Sequence, residues 1–261
     1  MRRSIFVFFI VASGIAALAV YNHRTQPAKK EITIFDRDYF VSGTDTLWYE
    51  LHVSESLQMN KKYPLLVLLH GAVERAIYNT ITEIQPPQLF RDPEQRKNYP
   101  CYIFMPHCPD PMTWMEPAPG DTSHRLPEKI TLPSRLAVLL LDSLLKDPKI
   151  DRNRIYITGV AMGGFGTWDL ICRYPEKFTC ALPLCGGGDE SCAPQLINIP
   201  IWAWHGKPDP YVPVHRTISM VEAINAAGGK AKMTLMENHY NVWDSAYSSP
   251  EVFDWMFAQH K

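Results

Sequence analysis

The chain has 261 residues, 46% of them hydrophobic and 20% charged, and its formal net charge at pH 7 is −1. That near-neutral balance, with no basic run interleaved with aromatics, argues against nucleic acid as a partner. No internal repeat, heptad pattern or low-complexity tract divides the chain, and the roughly 230 residues beyond its N-terminus suit one domain with a sizeable core.

At the N-terminus, Arg2 and Arg3 precede an apolar stretch from Ile5 to Val20 broken only by Ser13 and Gly14. Positive residues, an apolar run and the small-x-small triplet Ala17-Leu18-Ala19 are the parts of an export signal. The run also approaches the length of a membrane span, so an uncleaved anchor over residues 4–20 stands beside a cleaved signal. Either way the arginines stay cytoplasmic and the domain is expected outside, periplasmic or extracellular, touching a membrane only through this segment. Residues 21–30 read as a polar linker. The expected division is residues 1–30, signal or anchor plus linker, and residues 31–261, the folded domain.

Apolar runs beyond the linker alternate with helical patterns in the order of βαβ units. Strands are expected at 31–35, 47–53, 65–69, 102–106, 154–158, 181–185, 199–204 and 230–236. The runs at Leu65–Leu69 and Ile155–Ile157 are continuous rather than alternating, as in strands buried on both faces. Leucines at helical spacing (Leu136, Leu140, Leu144), with Pro133 near the first turn and Asp147-Pro148 as the stop, predict a helix over 133–146. Further helices are expected at 162–173, 214–227 and 250–259, and the Pro-rich stretch 109–132 reads as a long surface loop.

The six cysteines, Cys101, Cys108, Cys172, Cys180, Cys185 and Cys192, suit an oxidising compartment and allow fifteen pairings. No C-x-x-C pair exists, which argues against zinc. Cys101 and Cys108 flank a predicted strand whose extended residues hold them too far apart to bond. Cys180 and Cys192 are the better pair, because the chain between them can fold back. Cys185 ends an apolar strand and reads as a buried thiol.

The hexapeptide Gly159-Val160-Ala161-Met162-Gly163-Gly164 follows the run Ile155-Tyr156-Ile157-Thr158 and opens a helical stretch. A strand that ends in G-x-S-x-G and turns sharply into a helix is a nucleophile elbow, whose glycines make room for a strained turn. Here the central residue is alanine, with no oxygen to attack a carbonyl. With Tyr63–Ala72, Ile157–Trp168, His205–Pro213 and Asn241–Asp244 in this order, the chain resembles the single-domain α/β-hydrolase esterases related to polyhydroxybutyrate depolymerases, feruloyl esterases and prolyl-oligopeptidase-type domains. The resemblance covers residues 35–258. It implies an α/β-hydrolase fold, with a mainly parallel sheet of about eight strands flanked by helices. It also implies acyl transfer by a Ser-His-Asp relay, with backbone amides holding the oxyanion. On that pattern Ala161 stands at the nucleophile position and Asp209 is the acid. The amides of Ala72, Val73 and Met162 are the oxyanion donors.

Two places depart from the pattern. The family's histidine usually stands three residues before a tryptophan; counting back from Trp243 reaches Tyr240, with His239 beside it. His239 shifted by one residue, or Tyr240 in the histidine's place, both stay open. Where relatives commonly read HGAGERG, this chain has His70-Gly71-Ala72-Val73-Glu74-Arg75-Ala76, and the β-branched Val73 resists a backbone that glycine adopts freely. His70 and His205 read as structural hydrogen-bonders.

Ser134, Ser143, Ser191, Thr158 and Cys185 lie outside the elbow, so none is expected to replace the serine. No HExxH, EF-hand or P-loop pattern occurs, and neither a metal nor a cofactor is expected. Ala161 is either a natural replacement or an engineered Ser-to-Ala change in an active carboxylesterase. The departures at Val73, Ala76 and the histidine fit the first. A third route is water-mediated turnover with His239 as base. The expected ligand is a small-molecule or polymer ester, in a cleft walled by aromatics drawn from Trp114, Trp168, Tyr211 and Trp243, with Trp168 assigned to the core.

Overall fold

The computed structural model describes residues 36–54, 57, 58, 60–73, 90, 92, 97–116 and 123–261, within one compact unit that begins at residue 35. The export segment, the strand expected at 31–35 and Ala76 lie outside the described residues. No helix among the described residues is long and apolar enough to cross a membrane.

Eight strands form one sheet: β1 (Asp36–Ser42), β2 (Asp45–Val53), β3 (Tyr63–Leu69), β4 (Tyr102–Pro106), β5 (Ile150–Val160), β6 (Cys180–Leu184), β7 (Trp202–Gly206) and β8 (Lys232–Met236). Their order is β1-β2-β4-β3-β5-β6-β7-β8. From β4 across to β8 every pairing is parallel, while β1 with β2 and β2 with β4 are antiparallel. The first described strand is β1, Asp36–Ser42. It belongs to an edge hairpin whose turn uses Gly43 at φ 65°, and half-solvated hairpin strands lack the continuous apolar run that marks a buried one.

Helices α1 (Leu132–Leu144), α2 (Met162–Arg173), α3 (Ala193–Leu196), α4 (His215–Ala226), α5 (Val242–Ser248) and α6 (Pro250–Phe257) flank the sheet. Every residue of β3 is buried. The pleat sends Leu65, Val67 and Leu69 into one large cluster with Leu136 and Leu140 of α1, Trp168 and Cys172 of α2, and Cys192. Leu136 and Leu140 sit at the i, i+4 spacing that places a helix stripe on a sheet.

All six cysteines are buried and no disulfide joins them. The expected Cys180–Cys192 pairing fails on the pleat. Ala181 shares the large cluster with Cys192, whereas Cys180, the preceding residue, turns the other way and directs its thiol at the Met256 carbonyl of α6, 3.9 Å away. Neighbours on a strand face opposite sides of the sheet, so it separates the two sulfurs.

Candidate active site

Between β5 and α2 stands Ala161, at φ 50° and ψ −110°. A positive φ is uncommon for a residue with a Cβ and persists only where the surroundings impose it. Two bonds impose it here: the Ala161 amide donates to the Leu184 carbonyl of β6 at 2.9 Å, and its own carbonyl accepts from the Phe165 amide at 2.9 Å. The turn also needs close backbone approach. A Cβ on Gly159 would lie 2.4 Å from the Gly163 carbonyl oxygen, and one on Gly163 would lie 2.0 Å from that of Leu69. The elbow expected from the sequence is present, with a methyl group at its apex. Ala161→Gly removes the strain without opening a core cavity, so it should raise stability by about 1 kcal/mol. Urea midpoints of the two proteins measure this; an unchanged or lower midpoint would mean that the turn is unstrained.

Asp209 follows β7, as expected, in a tight turn. Its Oδ1 accepts the Tyr211 and Val212 amides at 2.8 and 2.9 Å, and its Oδ2 lies 3.6 Å from Nε2 of the buried His205. Burial works against the charged carboxylate, but the His205 ring and the two amides outweigh it and hold the carboxyl below its ordinary range. His205 is structural, as expected: Nε2 donates to the Val212 carbonyl at 2.9 Å and Nδ1 meets the Thr217 hydroxyl at 2.7 Å.

Neither candidate for the histidine reaches Asp209. The loop after β8 lays its main chain, rather than its side chains, against Gly206 and Cys185. A Cβ on Gly206 would come within 2.0 Å of the His239 carbonyl oxygen, and the Tyr240 carbonyl accepts from the Cys185 thiol at 3.6 Å. Both side chains point outward: His239 is exposed, and Tyr240, 47% exposed, stacks edge-on against Trp243 at 6.2 Å. Asp209 is therefore brought together with His205 and Cys185, not with His239 or Tyr240.

The proposed oxyanion donors divide. Met162 is the first residue of α2, where amides have no intrahelical acceptor and face outward along a positive dipole end. Ala72 and Val73 follow the buried Gly71 at the start of a helical turn, and Val73 is 63% exposed. His70 anchors this loop, with Nδ1 donating to the Gly71 carbonyl at 2.7 Å and Nε2 accepting the Cys108 amide at 3.0 Å. Trp114, expected in the cleft, is instead fully buried and donates its indole N–H to the His70 carbonyl at 2.9 Å. Its Pro-rich surroundings read as a surface loop, but its ring packs in the core by the end of β3. Trp168 is in the core, as assigned, and Tyr211 is 74% exposed.

Cys185 was expected only as a buried thiol; its backbone is more telling. It is, with Ala161, one of two non-glycine residues with positive φ among those described, at 49°. The following run Gly186-Gly187-Gly188 was the available signal that the chain there is tightly constrained. Burial, then the neighbouring Asp209 charge, pushes its thiol up to about 12. Cys185, His205 and Asp209 offer donor atoms within 4.8 Å of one another. The His205 and Asp209 atoms are already engaged as described, so a metal ion there would have to displace those bonds. The sequence reading also missed Arg216, only 1% exposed on a helix that looks amphipathic. Its guanidinium stands 5.4 Å over the Phe165 ring, one turn into α2, and donates to Nδ1 of His124.

No protein-family model matches the chain. It is 25% identical over 153 residues to the curated poly(3-hydroxyalkanoate) depolymerase C of Paucimonas lemoignei, an alignment covering 56% of this chain and 33% of that one. Among solved structures, a thermostable esterase superposes with a TM-score of 0.79 at 32% identity, over 87% of this chain and 64% of its own. A ferulic acid esterase gives 0.65 at 17% identity over 85% and 98% of the two chains. The feruloyl esterase module from Clostridium thermocellum, solved as a serine-to-alanine mutant with sinapinate, gives 0.62 at 15% identity over 86% and 88%. The chain thus spans a third of the depolymerase and under two thirds of the thermostable esterase. The ordered sheet, the strained strand-to-helix turn and the loop acid after β7 agree with these likenesses: the chain has the α/β-hydrolase fold, and its relatives are esterases.

Proposed function

We propose that this protein is an exported or membrane-anchored member of the carboxylic-ester hydrolase group that binds ester- or acyl-bearing ligands without turning them over. The observation that carries the reading is the state of the acid. Asp209 faces His205, whose nitrogens are both occupied, while His239 and Tyr240 point away and a methyl group stands at 161. A serine placed at 161 would have no positioned base, and loss of such a relay costs on the order of a millionfold in kcat. A second reading, an active carboxylesterase carrying an engineered change at 161, draws support from the intact elbow.

Ala161→Ser assayed on short-chain p-nitrophenyl esters separates the two. Under the binding reading the single variant stays at the rate of the unchanged protein. Strong turnover by Ala161→Ser alone would overturn the binding reading and establish the second.

A further inference from the structure

Cys185, His205 and Asp209 come from the neighbouring ends of β6 and β7, and their donor atoms lie within 4.8 Å of one another. Each residue is held from behind. The Tyr211 and Val212 amides both use Asp209 Oδ1, which turns Oδ2 toward His205 Nε2 at 3.6 Å. The other ring nitrogen, Nδ1, meets the Thr217 hydroxyl at 2.7 Å, and that hydroxyl donates to the Gly186 carbonyl at 2.8 Å. A hydroxyl committed to Gly186 accepts a proton from Nδ1, so Nε2 can give up its own. The Cys185 amide donates to the Trp204 carbonyl at 2.9 Å. Its φ of 49° is one that a residue with a side chain keeps only where the surroundings impose it.

We propose that Cys185 Sγ, His205 Nε2 and Asp209 Oδ2 form a zinc-binding site. Thiolate, imidazole and carboxylate are zinc's donor types, and tetrahedral ligands about 2.0–2.3 Å from the ion stand roughly 3.3–3.8 Å apart. The 3.6 Å between Nε2 and Oδ2 already falls in that range. The sulfur, within 4.8 Å of both, has about 1 Å to close. The bonds behind Oδ1 and Nδ1 are the outer shell that fixes carboxylate direction and ring tautomer at zinc sites. Two protons leave on binding, one from the Cys185 thiol and one from Nε2. The ion displaces only the thiol bond to the Tyr240 carbonyl, at 3.6 Å, and the Nε2 bond to the Val212 carbonyl, at 2.9 Å. A bound cation deprotonates a coordinating thiol outright, and thiolate plus carboxylate then neutralise its charge, so the buried site carries no net charge. No other group of three such donors occurs among the described residues. The site takes the acid that a hydrolytic relay would need, but its test reads metal and not turnover.

The full chain, reduced with a non-chelating phosphine and freed of metal by dialysis, is titrated with cobalt(II) and then with zinc(II). The expected result is one cobalt per chain with a thiolate-to-cobalt charge-transfer band, bleached by one equivalent of zinc. Cys185→Ala should abolish the band and weaken zinc by at least about 100-fold. Thr217→Val, which removes only the hydroxyl behind Nδ1, should keep the band and weaken zinc about 10–100-fold. Cys180→Ala is the control for sulfur elsewhere, because that thiol points to the Met256 carbonyl; its band and affinity should match the parent. No band in the parent, or a band that survives Cys185→Ala, overturns the proposal. Asp209→Asn removes a ligand while keeping its shape, and unchanged zinc affinity there overturns the proposal even if Cys185→Ala does not fold.

Discussion

A methyl group added at Gly163 is expected to cost the fold about 4 kcal/mol or more, a large share of the roughly 5–15 kcal/mol that holds a domain together. The new Cβ would stand 2.0 Å from the Leu69 carbonyl oxygen, 2.6 Å from its carbon and 2.9 Å from the His70 carbonyl oxygen. All three are backbone atoms at the end of β3 and in the loop after it, so no side chain can swing aside. Relief requires α2 to lift from β3, which breaks packing along its buried face. The same chemical change at Gly43 is the control: its φ is 65° and nothing lies within 4 Å of the added Cβ, so only the local conformational cost of about 1 kcal/mol applies. Urea unfolding of both variants measures the contrast. Equal losses would show that the elbow tolerates a wider approach than the structure gives it.

Replacing Asp209 with alanine should destabilise the protein by about 2–3 kcal/mol at neutral pH, because the Tyr211 and Val212 amides lose their shared acceptor at once. The loss should also depend on pH in a definite direction. The Asp209 carboxyl is held below its ordinary range, so its contribution is fully present above the unfolded value of about 3.9 and is lost as pH falls toward the folded value. The gap in unfolding midpoint between the parent and Asp209→Asn should therefore be constant from pH 7 to about 5 and narrow below 4. Asp189 and Asp151 are lowered as well, but both remain in the variant and cancel in the difference. A gap independent of pH down to 3 would mean that the carboxylate charge contributes nothing to folding.

The parallel core was legible because its chemistry is local and repetitive. Seven consecutive buried residues in β3 and the leucine spacing of α1 write their environment into the chain. The elbow was legible for a different reason: Gly159 and Gly163 are dictated by backbone contacts that any sequence with this turn must satisfy. What stayed hidden depends on distant partners. The edge strand β1 is mostly solvent-exposed, so no continuous apolar run marked it in the chain. Helix α5 starts at Val242 among Trp, Asp, Ser and Tyr, residues with little intrinsic helical preference, so tertiary packing of Val242, Ala246 and Tyr247 makes it. Trp114 looked like a cleft wall because its neighbours are prolines and aspartates, while its burial is set by His70, 44 residues away. The choice between His239 and Tyr240 was beyond any local signal, since it turns on whether the loop presents side chains or main chain to Gly206.

The contacts around Ala161 set unequal tolerances along one short motif. The apex residue is bound only through its own amide and carbonyl, so its side chain is free to change in a lineage while the sheet and helix stay assembled. The flanking glycines meet main-chain atoms of neighbouring elements and have no such latitude. Drift after a nucleophile is lost should therefore erase chemistry first and leave the glycine frame as a fossil. A chain found by those glycines alone has been identified by its architecture, and the single letter between them must be read before any reaction is assigned.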